Sequence, residues 1–121
     1  MWHIDTHANT VQLTDVQFEE LATLLSKVGY GLNAEECMEM FEENYPFLTF
    51  DDNADEHMDY LAYEEVRSWL QSIHAEGVVI FSSDGNSSWG WWSYEFDGKG
   101  GMNFQNGGHK DIPAEFEKYF D

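Results

Sequence analysis

Carboxylates are the side chains most able to do chemistry in this 121-residue chain, and half of them are concentrated in one segment. Residues 28–66 contain twelve of the 24 Asp and Glu residues and no Lys or Arg. The twelve are Glu35, Glu36, Glu39, Glu42, Glu43, Asp51, Asp52, Asp55, Glu56, Asp59, Glu64 and Glu65. On a helix, like charges three or four positions apart destabilise the helix by about 0.2–0.5 kcal/mol per pair. Selection for stability alone would have interleaved Lys, so the pattern indicates another purpose.

Rows of carboxylates on a rigid helix imitate the phosphates of a nucleic-acid backbone. A groove lined with Arg and Lys, which neutralises phosphates, would be attracted and blocked by such a surface. Two other interpretations are an acidic face that only keeps the domain soluble and an adaptation to high salt. A salt-adapted surface spreads its charge evenly, whereas the first 34 residues here contain only four carboxylates. The clustering therefore favours a binding partner.

The net charge excludes several kinds of partner. With 24 acidic and five basic residues, the chain carries a formal charge of −19 at neutral pH. We expect no direct binding to nucleic acid or to an anionic membrane, because so negative a surface repels phosphates. The sequence shows no signal peptide and no run of about 20 apolar residues, which predicts a cytoplasmic protein. The dispersed basic residues are Lys27, Arg67, Lys99, Lys110 and Lys118.

A chain of this size and charge is similar in physical type to the phage-encoded DNA mimics that inhibit restriction or CRISPR nucleases. It also resembles nuclease-toxin immunity proteins. The resemblance implies a non-enzymatic inhibitor without a cofactor, which blocks a basic nucleic-acid-binding protein such as a nuclease or a CRISPR effector in the host cytoplasm. Catalysis is not expected, since no nucleophile, base and orienting group occur together in the sequence.

The acidic segment also suggests a second function, a degenerate calcium loop. Positions 1, 3, 5 and 9 of an EF-hand loop correspond to Asp51, Asn53, Asp55 and Asp59. Position 6 is Glu56, where the sharp turn needs Gly, and position 12 is Ala62, where a bidentate Glu is needed. These departures predict no true metal site, and weak cation binding is the alternative to the inhibitor.

Two smaller groupings have ordinary structural interpretations. His3, Asp5 and His7 alternate as they would on one face of a strand, a geometry that metal sites use. Further ligands are scattered, so an ordinary polar strand is expected. Cys37 lies in an apolar helix stripe without a nearby cation, which predicts a buried and unreactive thiol.

Aromatic residues are crowded into one predicted strand. Trp89 and Trp91 share one face of it, and Trp92 shares the other face with Tyr94 and Phe96. One face should pack on the helices. The other either forms a patch for a partner or a homodimer, with Trp89, Trp91 and Trp92 as anchors, or is covered by the C-terminal helix. A structural or assembly protein that uses this sheet is the third functional hypothesis.

Helix signals dominate the first part of the chain. Thr14 and Gln17 form a capping box before an apolar stripe that predicts a helix from about 15 to 28, ended at Gly29 or Gly31. Asn33 and Glu36 predict a second helix, which Pro46 ends. A third should begin near Asp55 to Asp59 and end at Gly77, while residues 2–13 are a strand or an extended arm.

Strand signals dominate the second part. Residues 78–82, 88–96 and 102–105 predict an antiparallel meander, and Pro113 should begin a short final helix. Helices grouped first and strands afterwards predict an α+β fold, in which about three N-terminal helices pack on a small C-terminal antiparallel β-meander. The length fits a single domain covering residues 1–121.

Overall fold

The computed structural model describes residues 4–50, 59–83 and 89–120. Within these ranges the protein combines helices with a four-stranded antiparallel sheet, in agreement with the predicted α+β class. No helix in them is long and apolar enough to span a membrane. Four of the predicted site residues, Asp51, Asp52, Asp55 and Glu56, lie outside the described residues.

The sheet contains one strand more than the predicted C-terminal meander. Its strands are β1 (Ile4–Asn9), β2 (Glu76–Ser83), β3 (Gly90–Asp97) and β4 (Met102–Gly107), in the spatial order β1-β2-β3-β4. All neighbours are antiparallel. The N-terminal segment is therefore an edge strand rather than a free arm, and the helices are inserted between β1 and β2.

The first two helices lie where their capping signals predict. Helix α1 (Asp15–Val28) begins after Thr14 with both hydrogen bonds of the capping box, and it ends at Gly29 in the left-handed conformation with φ 84°. Helix α2 (Ala34–Phe41) has the corresponding capping box of Asn33 and Glu36. It ends before Pro46, through a turn in which the Glu43 amide donates to the Met40 carbonyl at 3.3 Å.

The third helix is shorter than predicted at both ends. A 3-10 turn, Tyr60–Ala62, comes first, and the extended backbone of Tyr63 separates it from α3 (Glu64–Ser72). The helix stops well before Gly77, which lies inside β2. A Cβ on Gly77 would lie 2.9 Å from backbone atoms of Thr10, so glycine is required there for the close approach of two segments of the chain rather than for a helix end.

The connecting and C-terminal segments contain little regular structure. Phe47 makes a single antiparallel bridge with Gln12. The segment after Pro113 is a 3-10 helix, Ala114–Tyr119, in which Phe116 alone is buried. Short 3-10 helices are typical of such connecting and terminal segments.

The sheet is covered on both faces. Apolar residues of α1, α2 and α3 pack with Val79, Phe81, Tyr94 and Phe96 in the larger core. The opposite face forms a smaller core, in which Ile80 and Trp91 meet Phe116 of the C-terminal 3-10 helix. The result is three layers, with the C-terminal segment as the outer cover of the sheet.

Candidate acidic partner-binding surface

Helix α2 separates its apolar and acidic side chains cleanly. Cys37 and Phe41 are buried and fix the inward face of the helix. All five carboxylates of α2 and of the turn after it are exposed: Glu35, Glu36, Glu39, Glu42 and Glu43. Cys37 is fully buried as predicted, and burial together with Glu36 raises the pKa of its thiol to about 11. The helix therefore presents a surface of carboxylates backed by a fixed core.

Four exposed carboxylates have a structural explanation. Glu35 and Glu36 lie in the first turn of α2, and Glu64 and Glu65 in the first turn of α3. The partial positive charge at a helix N-terminus stabilises acidic side chains by about 0.3–1 kcal/mol each. Glu36 also accepts a hydrogen bond from the Asn33 amide at 3.0 Å in the capping box. Helix stability alone accounts for these four.

Glu39, Glu42 and Glu43 have no such explanation. Glu39 lies in the last turn of α2, Glu42 is its C-cap residue and Glu43 follows in the turn. The C-terminus of a helix carries a partial negative charge, so carboxylates destabilise it there. The described helix Ala34–Phe41 has no basic residue in its last turn, whereas α1 has Lys27 in the corresponding place. A binding role would explain why acid is retained at this helix end.

A cluster of packed rings, two buried and one half-buried, connects the end of α2 with the segments on either side of positions 51–59. The ring of Tyr60 lies 6.3 Å from that of Phe41 at the end of α2, and 4.5 Å from that of Phe50. Tyr60 is fully buried, and its hydroxyl donates to the Thr49 carbonyl at 3.1 Å. Residues 50 and 60 flank the acidic positions 51–59, so this cluster holds both flanks beside the C-terminal end of α2.

Asp59 differs from the other predicted surface carboxylates, because its side chain points into the protein. One carboxylate oxygen accepts hydrogen bonds from Trp92 Nε1 at 2.9 Å and from the Tyr94 hydroxyl at 2.8 Å. The other oxygen accepts from the Leu61 amide at 2.9 Å. Desolvation raises the pKa of Asp59, and the three hydrogen bonds oppose that shift. Asp59 joins the 3-10 turn to the sheet and is not presented to a partner.

Arg67 completes this inward-facing group. Its guanidinium donates to the carbonyls of Leu61 and Ala62 at 2.9 and 2.7 Å. The residue is therefore occupied in holding the 3-10 turn against α3. Burial and, after it, Asp59 raise the pKa of Tyr94, and the charge of Arg67 opposes part of that shift. Arg67, one of the five basic residues of the chain, therefore has a structural role within the fold.

These contacts weigh against the calcium-loop alternative. Asp59 occupies position 9 of the proposed loop, and both of its oxygens already accept hydrogen bonds. The other proposed ligands, Asp51, Asn53 and Asp55, lie outside the described residues, and within the described ranges no group of three or more His, Cys, Asp or Glu side chains is arranged to hold a metal ion. Of the His3, Asp5 and His7 grouping, His7 makes a 2.6 Å hydrogen bond with the Ser82 hydroxyl and packs on Phe120, while His3 lies outside the described residues.

The three predicted aromatic anchors differ in accessibility. Trp91 is 2% exposed, packs against Phe116 and Phe120, and donates its Nε1 hydrogen to the Gly108 carbonyl at 3.1 Å. The C-terminal segment covers this face, so the interpretation that Trp91 belongs to a core is confirmed. Trp89 and Trp92 are half-buried.

Sequence reasoning missed an aromatic residue next to the acidic helix end. Tyr45 is 52% exposed and follows Glu43 by two positions. Its ring lies 5.6 Å from that of Phe18, and a hydrogen bond with Asp15 raises the pKa of its hydroxyl. An exposed tyrosine held by a core ring is a common interface anchor. The available signal was a large aromatic residue in a loop, directly before Pro46.

Comparisons with known proteins add no further constraint, because no protein-family model, curated protein or solved structure matches the chain.

Proposed function

We propose that this protein is a non-enzymatic inhibitor that occupies the phosphate-binding groove of a basic nucleic-acid-binding protein. Glu39, Glu42 and Glu43 act as the central phosphate surrogates. One observation carries the proposal: these three carboxylates are exposed at a helix C-terminus, where they destabilise the helix and no basic residue in its last turn offsets them. A destabilising charge pattern that is retained on a rigid surface is what a binding function would select.

The other exposed carboxylates extend the negative field around this centre. Glu35, Glu36, Glu64 and Glu65 add charge from the two helix N-termini, while Asp51, Asp52, Asp55 and Glu56 belong to the same acidic segment in the sequence. A field of one sign accelerates encounter with an oppositely charged groove and weakens as salt increases. The inhibitor therefore competes with nucleic acid for the groove of a nuclease or CRISPR effector, in the cytoplasm of the host cell.

Tyr45 supplies the specificity that charge alone lacks. Its exposed ring follows Glu43 by two positions in the chain and is steadied by Phe18 and Asp15. Burying a preoriented aromatic ring in a partner pocket stabilises a complex at little cost in side-chain entropy. The half-buried ring of Trp89 packs on His109 and Phe120, and the indole nitrogen of the half-buried Trp92 donates to Asp59. Tyr45 therefore replaces these two tryptophans as the proposed aromatic anchor.

Charge reversal at matched positions tests the proposal. The first variant is Glu39→Lys/Glu42→Lys/Glu43→Lys, and its control is Glu20→Lys/Glu115→Lys/Glu117→Lys, which reverses three other exposed carboxylates. Each set adds six units and changes the net charge from −19 to −13. DNA cleavage by a panel of purified restriction endonucleases and CRISPR effectors is measured with each protein.

The proposal expects the wild-type protein to inhibit at least one enzyme of the panel, and the control to retain most of that inhibition. The variant at the end of α2 should lose it. If both triple variants lose inhibition equally, net charge is responsible and no local mimicry exists. If neither does, the acidic helix is only a solvated face. Circular dichroism establishes that both variants are folded.

A further inference from the structure

A cavity of about 490 Å³ lies where the segment before α1, the end of α3 and the start of β2 meet. Its polar lining residues are Thr10, Gln12, Gln17, His74 and Glu76. The described lining contains no Lys or Arg and one carboxylate, that of Glu76. None of these residues belongs to the acidic surface of α2, so the cavity is a separate place on the molecule.

His74 has a strained backbone at the border of this cavity. Among the described residues it is the only one other than glycine with a positive φ, at 56°. It follows the end of α3, where its amide donates to the Gln71 carbonyl at 3.1 Å. The next amide, that of Ala75, donates to the Leu70 carbonyl at 3.0 Å. The two bonds form a Schellman motif, in which glycine usually occupies the left-handed position because a Cβ is unfavourable there.

Helix α1 shows that this chain uses glycine where only the turn matters. Gly29 adopts φ 84° at the end of α1, and the Tyr30 amide donates to the Leu25 carbonyl at 3.2 Å, the same type of bond as at the end of α3. A Cβ on Gly29 would meet nothing within 4 Å, whereas His74 borders a cavity. Strained residues concentrate at ligand sites, where the side chain is needed despite its cost. The imidazole of His74 is therefore the reason to look for a ligand here.

The cavity lining offers three hydrogen-bond acceptors. The side chains of Gln12, His74 and Glu76 make no hydrogen bond with another described residue. They supply an amide oxygen, an imidazole nitrogen in the neutral ring and a carboxylate. The amide oxygen of Gln17, in contrast, already accepts from the Thr14 amide at 2.9 Å. A ligand of this cavity should therefore be a hydrogen-bond donor.

We propose that this cavity binds a primary ammonium group. Such a group has three N–H donors and no acceptor, which matches the three acceptors of Gln12, His74 and Glu76. Its charge is attracted by Glu76 and by the partial negative charge at the C-terminus of α3, whose last turn contains no basic residue. An anionic ligand would be repelled by the same groups. A metal ion is disfavoured, because the described lining supplies only one imidazole and one carboxylate.

Titration of the isotope-labelled protein with butylammonium chloride, followed by two-dimensional NMR, tests this chemistry. The His74 ring and the amides of Gln12 and of residues 74–77 should shift together, with a dissociation constant on the order of millimolar for so small a probe. Tetramethylammonium carries the same charge without an N–H donor and should shift these signals much less. If the two cations act alike, the general attraction of a chain of charge −19 is responsible, and the proposal is overturned.

Three single substitutions separate ligand binding from backbone strain. His74→Gly should raise Tm by about 3 °C, because glycine adopts the left-handed conformation without strain, and should weaken butylammonium binding about tenfold. Glu76→Gln removes the carboxylate charge and should also weaken binding about tenfold. Glu115→Gln removes the same charge from the exposed C-terminal segment and should leave binding unchanged. A His74→Gly protein that binds as tightly as the wild type, or that is less stable than it, overturns the proposal.

Two amines distinguish the possible sources of the ammonium group. Putrescine represents a small free amine, and Nα-acetyl-lysine amide represents a lysine side chain of another protein. Tighter binding of putrescine supports a site for free amines, and tighter binding of the lysine derivative supports a site for a partner's lysine. If neither compound shifts the signals of His74, the proposal is overturned.

This inference does not rest on the inhibitor function. Its titrations use the protein alone and need no nuclease, and His74 and Glu76 lie outside α2 and the turn after it. The two proposals can therefore fail separately.

Discussion

The carboxylate of Asp59 and those of Glu39, Glu42 and Glu43 have the same chemistry and lie in the same acidic segment, but the fold uses them in opposite ways. Asp59 is surrounded by three hydrogen-bond donors that join a 3-10 turn to the sheet. The three glutamates face solvent at a helix end that would be more stable without them. The first kind of carboxylate holds the structure together, and only the second kind is available to a partner.

Truncation of Asp59 should have the largest effect on stability. Asp59→Ala leaves Trp92 Nε1, the Tyr94 hydroxyl and the Leu61 amide without their acceptor, and should lower the free energy of unfolding by about 3 kcal/mol. Glu39→Ala, its matched control, should lower it by no more than about 0.5 kcal/mol. Urea denaturation measures both. Equal effects of the two substitutions would erase the distinction between the two kinds of carboxylate.

The pH dependence of stability sharpens the same comparison. Burial raises the pKa of Asp59 in the folded protein above its ordinary value of 3.8, so the folded state holds that proton more tightly than the unfolded chain does. The pH-dependent part of the stabilisation from Asp59 is therefore fully present below 3.8 and is lost as the pH rises through the raised, folded-state pKa, whereas the hydrogen bonds that its oxygens accept contribute on both sides of that range.

Comparison with Asp59→Asn, which cannot titrate at this position, isolates that contribution from the other carboxylates. The stability of the wild type relative to the variant should decrease as the pH rises above 3.8. Thermal denaturation in a series of buffers measures the difference. An increase in relative stability over the same range would mean that the donors around Asp59 outweigh its burial.

Charge reversal at the end of α2 should have a smaller effect on stability, in the opposite direction. Glu39→Lys/Glu42→Lys/Glu43→Lys places cations at a helix C-terminus and removes like-charge neighbours. We expect the free energy of unfolding to rise by about 1 kcal/mol. Thermal denaturation measures the stability of this variant and of the Glu20→Lys/Glu115→Lys/Glu117→Lys control. The difference between them is the effect specific to the end of α2. A loss of stability relative to that control would show that the acidic end has a structural role after all.

The sequence predicted the features that depend on local chemistry. The two capping boxes placed the starts of α1 and α2, and alternation along β3 separated Trp91 from Trp92 and Tyr94. The sequence did not predict the features that depend on contacts between residues far apart in the chain. The role of Asp59 depends on donors from β3, more than 30 residues away, and the pairing of β1 with β2 brings together residues 70 or more positions apart. Exposure of Tyr45 and Phe104 likewise depends on what the rest of the chain leaves uncovered.

The most direct test of the proposed mimicry is the salt dependence of binding to an inhibited nuclease, measured from about 50 to 200 mM salt. The variants Glu39→Gln/Glu42→Gln/Glu43→Gln and Glu20→Gln/Glu115→Gln/Glu117→Gln remove equal charge from two surfaces. If the end of α2 replaces phosphates in the groove, wild-type affinity falls steeply with salt, the first variant has a clearly smaller slope, and the second keeps the wild-type slope. The same slope in all three proteins, or a wild-type affinity that does not change with salt, would contradict the account.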